Sequence, residues 1–130
     1  MYESILFLNV RSKRKQIMAI NMKLSDVVAG KFWPVYEQYV SELAKIDDAK
    51  CELIKRHVQA RGALSDTEAE SAVRQWPDLD ESLARLNKRY VPNFRKILSP
   101  KTTARLYQLD RQMRLMIDLQ FASALPLVEP

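Results

Sequence analysis

The stretch from residue 35 to residue 61, VYEQYVSELAKIDDAKCELIKRHVQAR, decides the fold class. Val35, Tyr36, Tyr39, Val40, Leu43, Ile46, Leu53, Ile54 and Val58 fall within one arc of roughly 140° when each residue turns by 100°. Lys50 and His57 interrupt that arc, and Gly62 follows as a natural stop. A rod of this length advances about 40 Å at the helical rise. The pattern therefore predicts a long amphipathic helix and, in a chain of 130 residues, an elongated helical hairpin.

The same periodicity continues on both sides. Upstream, a helix is predicted from about Ser4 to Met22, with a polar centre at Arg11–Lys15 and apolar residues resuming at Ile17, Met18 and Ile20. Ser25 and Asp26 form a start signal, a hydroxyl cap followed by an acid in the first turn. Pro34 lies too far inside to sit at a first turn, so a kink is expected there. Downstream, Ser65-Asp66-Thr67-Glu68 spells a capping box ahead of Ala69, Ala72, Val73 and Trp76. Trp76-Pro77 reads as a break or kink. A second stripe follows at Leu79, Leu83, Leu86, Tyr90, Phe94 and Ile97, with Pro92 inside it.

Ser99 and Pro100 open the last helix, with proline at the first helical position where its missing N–H costs nothing. Leu106, Leu109, Met113, Met116 and Ile117 are predicted as its inner face. Leu115 and Leu119 point the other way and, with Trp33 and Tyr36, are candidate contacts of a homodimer. The segment 125–130, with Pro126 and Pro130, is predicted to be an extended tail. Residues 1–130 thus read as a single all-α domain of long kinked helices, an antiparallel hairpin that dimerises. Two glycines are too few for the tight turns of a sheet protein.

Composition narrows the function classes. No apolar run approaches the ~20 residues of a membrane span. The short run Ile5–Leu8 follows Glu3 and lacks a cleavage site, so it does not read as a signal peptide. A single cysteine, Cys51, allows no internal disulfide. The only histidine, His57, stands six residues from Cys51 and does not converge with Asp47, Asp48 or Glu52 into a metal site. It is expected to be a half-buried helix residue. No serine or cysteine sits in a nucleophile elbow, and no glycine-rich loop could cradle a phosphate. The sequence therefore predicts no catalytic residues, no metal and no cofactor, and the chain reads as a non-enzyme.

Charge is sorted along the chain. Six acids and one base lie between Asp66 and Glu81, whereas nine bases and one acid lie between Arg85 and Arg114. On a helix Arg85, Lys88, Arg89, Arg95 and Lys96 form a stripe opposite the apolar face. Such a stripe attracts acidic clients. The net charge of +5 also admits nucleic acid, through the Arg11–Lys15 run and the same stripe, as the alternative partner.

Leu24-Ser25-Asp26-Val27-Val28 and Leu98-Ser99-Pro100-Lys101-Thr102 each keep a Leu–hydroxyl start ahead of a long amphipathic helix. This pairing resembles the twice-repeated Leu-Thr-x-x-Gln motif of the Spy/CpxP-type family of exported bacterial helical proteins, with glutamine absent from both copies. The run Phe32-Trp33-Pro34-Val35-Tyr36, with Tyr39, looks like a divergent branch of such proteins. The resemblance covers about Met22 to Leu119. It implies a curved antiparallel helical dimer in the periplasm that binds partly unfolded proteins without ATP or regulates a sensor kinase in a stress response. Some members hold zinc through histidines that this chain does not have.

Overall fold

The computed structural model describes residues 13–130. Four helices occur among them and no strand: α1 (13–22), α2 (Asp26–Ala60), α3 (Asp66–Arg95) and α4 (Pro100–Ala124). The chain is all-α, as the sequence predicts. The helix predicted from Ser4 falls outside the described residues up to residue 12, and so does the basic residue Arg11. No described helix is long and apolar enough to cross a membrane.

Each predicted start signal makes its bond. The Ser25 hydroxyl accepts from the Val28 amide at 3.3 Å, and the Ser99 hydroxyl accepts from the Thr102 amide at 3.2 Å. At α3 the capping box is reciprocal. Ser65 Oγ accepts from the Glu68 amide at 3.2 Å, and Glu68 Oε1 accepts from the Ser65 amide at 3.1 Å. α2 ends where Arg61 (φ 55°) and Gly62 (φ 85°) turn left-handed. Neither helix is interrupted at its prolines: α2 runs through Pro34, and α3 through Pro77 and Pro92. Tertiary packing of an apolar face outweighs the loss of one donor at each of these positions.

The chain divides into two compact units. Among the described residues, the first comprises residues 13–35 and Val91–Ala124, so it contains α1, the start of α2, the end of α3 and all of α4. Two short turns make α1–α2 and α3–α4 antiparallel pairs. Phe32 joins the pairs, with its ring centroid 5.7 Å from that of Phe94, and Phe94 meets Tyr107 edge-on at 6.3 Å. Met18, Phe32, Phe94, Leu98, Leu106, Met113 and Ile117 are buried here. Arg105 Nε donates to the Asn21 carbonyl at 2.6 Å and ties α4 to the end of α1.

The second unit comprises Tyr36–Tyr90 and Leu125–Pro130. In it α2 and α3 lie antiparallel: Tyr39 donates its hydroxyl to Asn87 at 2.8 Å, and His57 faces Trp76 at 6.4 Å between ring centroids. Its core is Tyr36, Tyr39, Leu43, Leu53, Ile54, Ala72, Leu86 and Tyr90. The tail 125–130 has no regular secondary structure and belongs to this unit.

Two expectations are corrected. Tyr36 is 1 % exposed and is a core residue, so it cannot serve as a dimer contact. Met116 is exposed, not inward-facing, because the buried stripe of α4 runs through Leu106, Met113, Ile117 and Phe121. Val58 and Val73, though at helical spacing with buried neighbours, are exposed.

Candidate functional site

The predicted cationic side chains are all exposed, and they divide between the two units. Arg85, Lys88 and Arg89 stand on α3 in the second unit; Arg95 and Lys96 belong to the first. Helical spacing explains the first three. Leu86 and Tyr90 are buried against α2, which turns positions 85, 88 and 89 toward water. Arg95 is bent back on its own chain, and its guanidinium donates to the Leu98 carbonyl at 2.6 Å. There it satisfies a C-terminal carbonyl and complements the negative end of the helix dipole.

Two of the three α3 cations in the second unit hold acidic partners. Arg85 pairs with Glu81 one turn earlier on α3, and Arg89 Nη2 reaches Glu42 of α2 at 3.3 Å. Both pairs are solvent-exposed, so each contributes little to stability and can exchange for an incoming carboxylate. The sequence stripe missed Glu42, because the acid that reaches Arg89 lies 47 residues away.

Between α2 and α3 an open groove of about 520 Å3 is lined by Glu42, Lys45, Ile46, Ser82, Arg85, Leu86 and Arg89. Ile46 and Leu86 supply apolar surface, and three cations stand against one acid around it. Beneath lies Tyr90, whose burial and hydrogen bond with Glu42 push its hydroxyl up to about 12. The phenol therefore stays protonated and donates to Glu42, fixing that carboxylate between Tyr90 and Arg89. A second groove follows toward the α2–α3 turn, lined by Leu53, Arg56, Gln75, Asp78, Leu79 and Ser82 among others.

Of the expected dimer contacts, Leu115 and Leu119 are exposed on α4 at 55 % and 69 %, and Met116 joins them at 56 %. Trp33 is half-buried; Phe32 packs against its ring at 5.0 Å and Lys15 Nζ stands 5.3 Å over it. The sequence reasoning also missed a buried polar pair. Asp110 is 4 % exposed inside α4 and accepts from Arg114 Nη2 at 2.7 Å. Its i,i+4 spacing was a legible signal. Among the described residues no three or more His, Cys, Asp or Glu side chains come together as metal ligands.

Compared with known proteins, the chain matches no family model, no curated protein and no solved structure.

Proposed function

We propose that this chain is a non-enzymatic protein-binding module that captures partly unfolded, acidic polypeptides without ATP. The observation that carries the reading is the α2–α3 groove, where apolar Ile46 and Leu86 lie among the cations Lys45, Arg85 and Arg89. An unfolded client offers both of the matching features, loose apolar side chains and unpaired carboxylates. The cations raise the encounter rate more than the final affinity, so binding is rapid and reversible. Lys88, on the same exposed side of α3, adds to that field. Arg95 and Lys96 add cationic charge in the other unit.

The groove is complete within one chain, so the reading does not require a second copy. It keeps the chaperone-like role, the helical-hairpin build and the periplasmic setting that the resemblance to Spy/CpxP-type proteins implies.

The test is suppression of aggregation of a chemically reduced client protein. Wild type is expected to suppress it at near-stoichiometric ratio, and Arg85→Ala/Lys88→Ala/Arg89→Ala is expected to slow capture, most at low salt where screening is weakest. No suppression at several-fold excess overturns the reading. Steeply salt-dependent binding of DNA or RNA, without client capture, replaces it with nucleic-acid binding.

A further inference from the structure

The groove at Arg89 continues past Ser82. That residue lines both the groove at Lys45 and the one that follows toward the α2–α3 turn, so the two form a single channel along the second unit. Its α2 wall runs from Glu42 to Arg56, a rise of about 21 Å, and its α3 wall from Gln75 to Arg89.

The two walls carry the same spacing. Glu42, Ala49 and Arg56 stand seven residues apart, as do Lys45 and Glu52, and Ile46 and Leu53. On α3 the matching sets are Gln75, Ser82 and Arg89, then Asp78 and Arg85, then Leu79 and Leu86. On each helix these positions stay within an arc of roughly 120° and repeat every two turns, which is the spacing by which helices interlock side by side. Leu53 and Leu86 are buried and form the floor; Ile46 and Leu79 are half-buried and leave apolar surface open above it. Counted from the Arg89–Glu42 contact, Ala49 and Ser82 lie level with each other, and both are small and exposed. A partner's backbone can therefore approach closely at mid-channel.

These features select a helix over a strand. Both walls are helices, whose backbone groups are already bonded within each helix. They offer an extended chain nothing to pair with, and a strand laid on the apolar floor would leave its own N–H and C=O groups unpaired. A helix satisfies its own. Its side chains at i and i+7 stand about 10.5 Å apart, in step with Ile46 and Leu53 on one wall and Leu79 and Leu86 on the other. On one face of a strand side chains recur every ~7 Å and fall out of step.

Charge along the channel distinguishes its ends. Lys45, Arg85 and Arg89 stand against Glu42 at one end, whereas Glu52 and Asp78 stand against Arg56 toward the turn. The first end is net cationic and the second net anionic, so a complementary partner is acidic at one end and basic at the other. Resting on the reading of this groove as a client site, we propose that the bound segment of the client is an amphipathic helix of about four turns. Its apolar stripe lies along Ile46, Leu53, Leu79 and Leu86. Its acidic end lies over Lys45, Arg85 and Arg89, and its basic end over Glu52 and Asp78. The segment is unfolded when free and becomes helical in the channel.

The test titrates the full chain with two labelled peptides of one composition, each about 15 residues long to match the channel. The first has leucines at heptad a and d spacing, glutamates at one end and lysines at the other. The second keeps the charged ends and has its leucines shuffled out of period. The periodic peptide is expected to bind at least several-fold more tightly and to gain helical circular dichroism when bound. Ser82→Trp, which fills the channel at an exposed position and leaves its charges in place, is expected to weaken that binding several-fold. Replacing the peptide's glutamates by lysines is expected to weaken it as well. Equal binding of the two peptides, no gain of helix, or indifference to Ser82→Trp or to the glutamate replacement overturns this inference and leaves client capture standing. Binding of neither peptide overturns both.

Discussion

The backbone amide of Glu129 donates to the carbonyl of Gly62 at 2.9 Å, so the end of the chain is bound to the turn between α2 and α3. The turn is shaped to receive it. A Cβ built on Gly62 would stand 2.5 Å from the Leu127 carbonyl oxygen, and Gly62 is itself left-handed at φ 85°.

Gly62→Ala meets both obstacles and is expected to destabilise the protein by about 1–2 kcal/mol from the left-handed backbone alone, with displacement of the tail in addition. Gly30, within α2, is the control: nothing lies within 4 Å of the point where an alanine methyl would stand, so Gly30→Ala is expected to stabilise by about 0.5–1 kcal/mol. Urea unfolding of the two variants gives both signs in one experiment.

Asp110 and Arg114 form an ion pair across one helical turn that is far more protected from water than Arg74–Glu70 or Arg85–Glu81. Arg114→Met removes one partner of a carboxylate that has little access to water, and is expected to cost about 1–3 kcal/mol. Asp110→Asn keeps an acceptor for Arg114 and removes the buried charge, so its cost is expected to be smaller. Thermal unfolding of both variants checks the order; equal losses would show that the charge is not what matters.

Tyr90 and Tyr107 are both pushed up to about 12, chiefly by burial, with Glu42 acting further on Tyr90 and Asp110 on Tyr107. Because folding favours the protonated phenols, their contribution to stability is fully present below the ordinary value of 10 and disappears as pH rises through about 12. Alkaline titration followed by tyrosinate absorbance is expected to show these two ionising late, together with the loss of helical circular dichroism. Ionisation of every tyrosine near its ordinary pH, with the helices intact, would contradict it.

The α3 capping box predicts the opposite limb. Hydrogen bonds from Ser65 hold Glu68 below its ordinary value of 4.5. That stabilisation is present above the ordinary value and is lost as pH falls through the lowered one. Ser65→Ala is expected to cost about 1 kcal/mol at neutral pH. Glu68→Gln is expected to flatten the acid side of the stability profile.

Much of this fold was legible in local chemistry. Ser25, Ser65 and Ser99 each announce a helix whose cap bond forms, because capping depends only on residues within one turn. The α2 stripe is likewise buried at Tyr36, Tyr39, Leu43, Leu53 and Ile54. What could not be read is what depends on partners far away in sequence. Pro77 signals a break locally, but α3 continues because its apolar face is packed. The sequence groups Met116 with the inner face, yet it is exposed, because the buried stripe of α4 runs through Leu106, Met113, Ile117 and Phe121. At the groove, the cations of α3 were visible as a stripe. Their engagement by Glu42 and the apolar floor at Ile46 were not, since both come from α2.

Client capture at the α2–α3 groove is tested most directly by anisotropy of a labelled, acidic, permanently unfolded polypeptide titrated with the full chain. Saturable binding is expected that weakens with added salt and falls several-fold for Arg85→Ala/Lys88→Ala/Arg89→Ala, and also for Ile46→Asp. Binding that is absent, or that ignores both sets of substitutions, would contradict it.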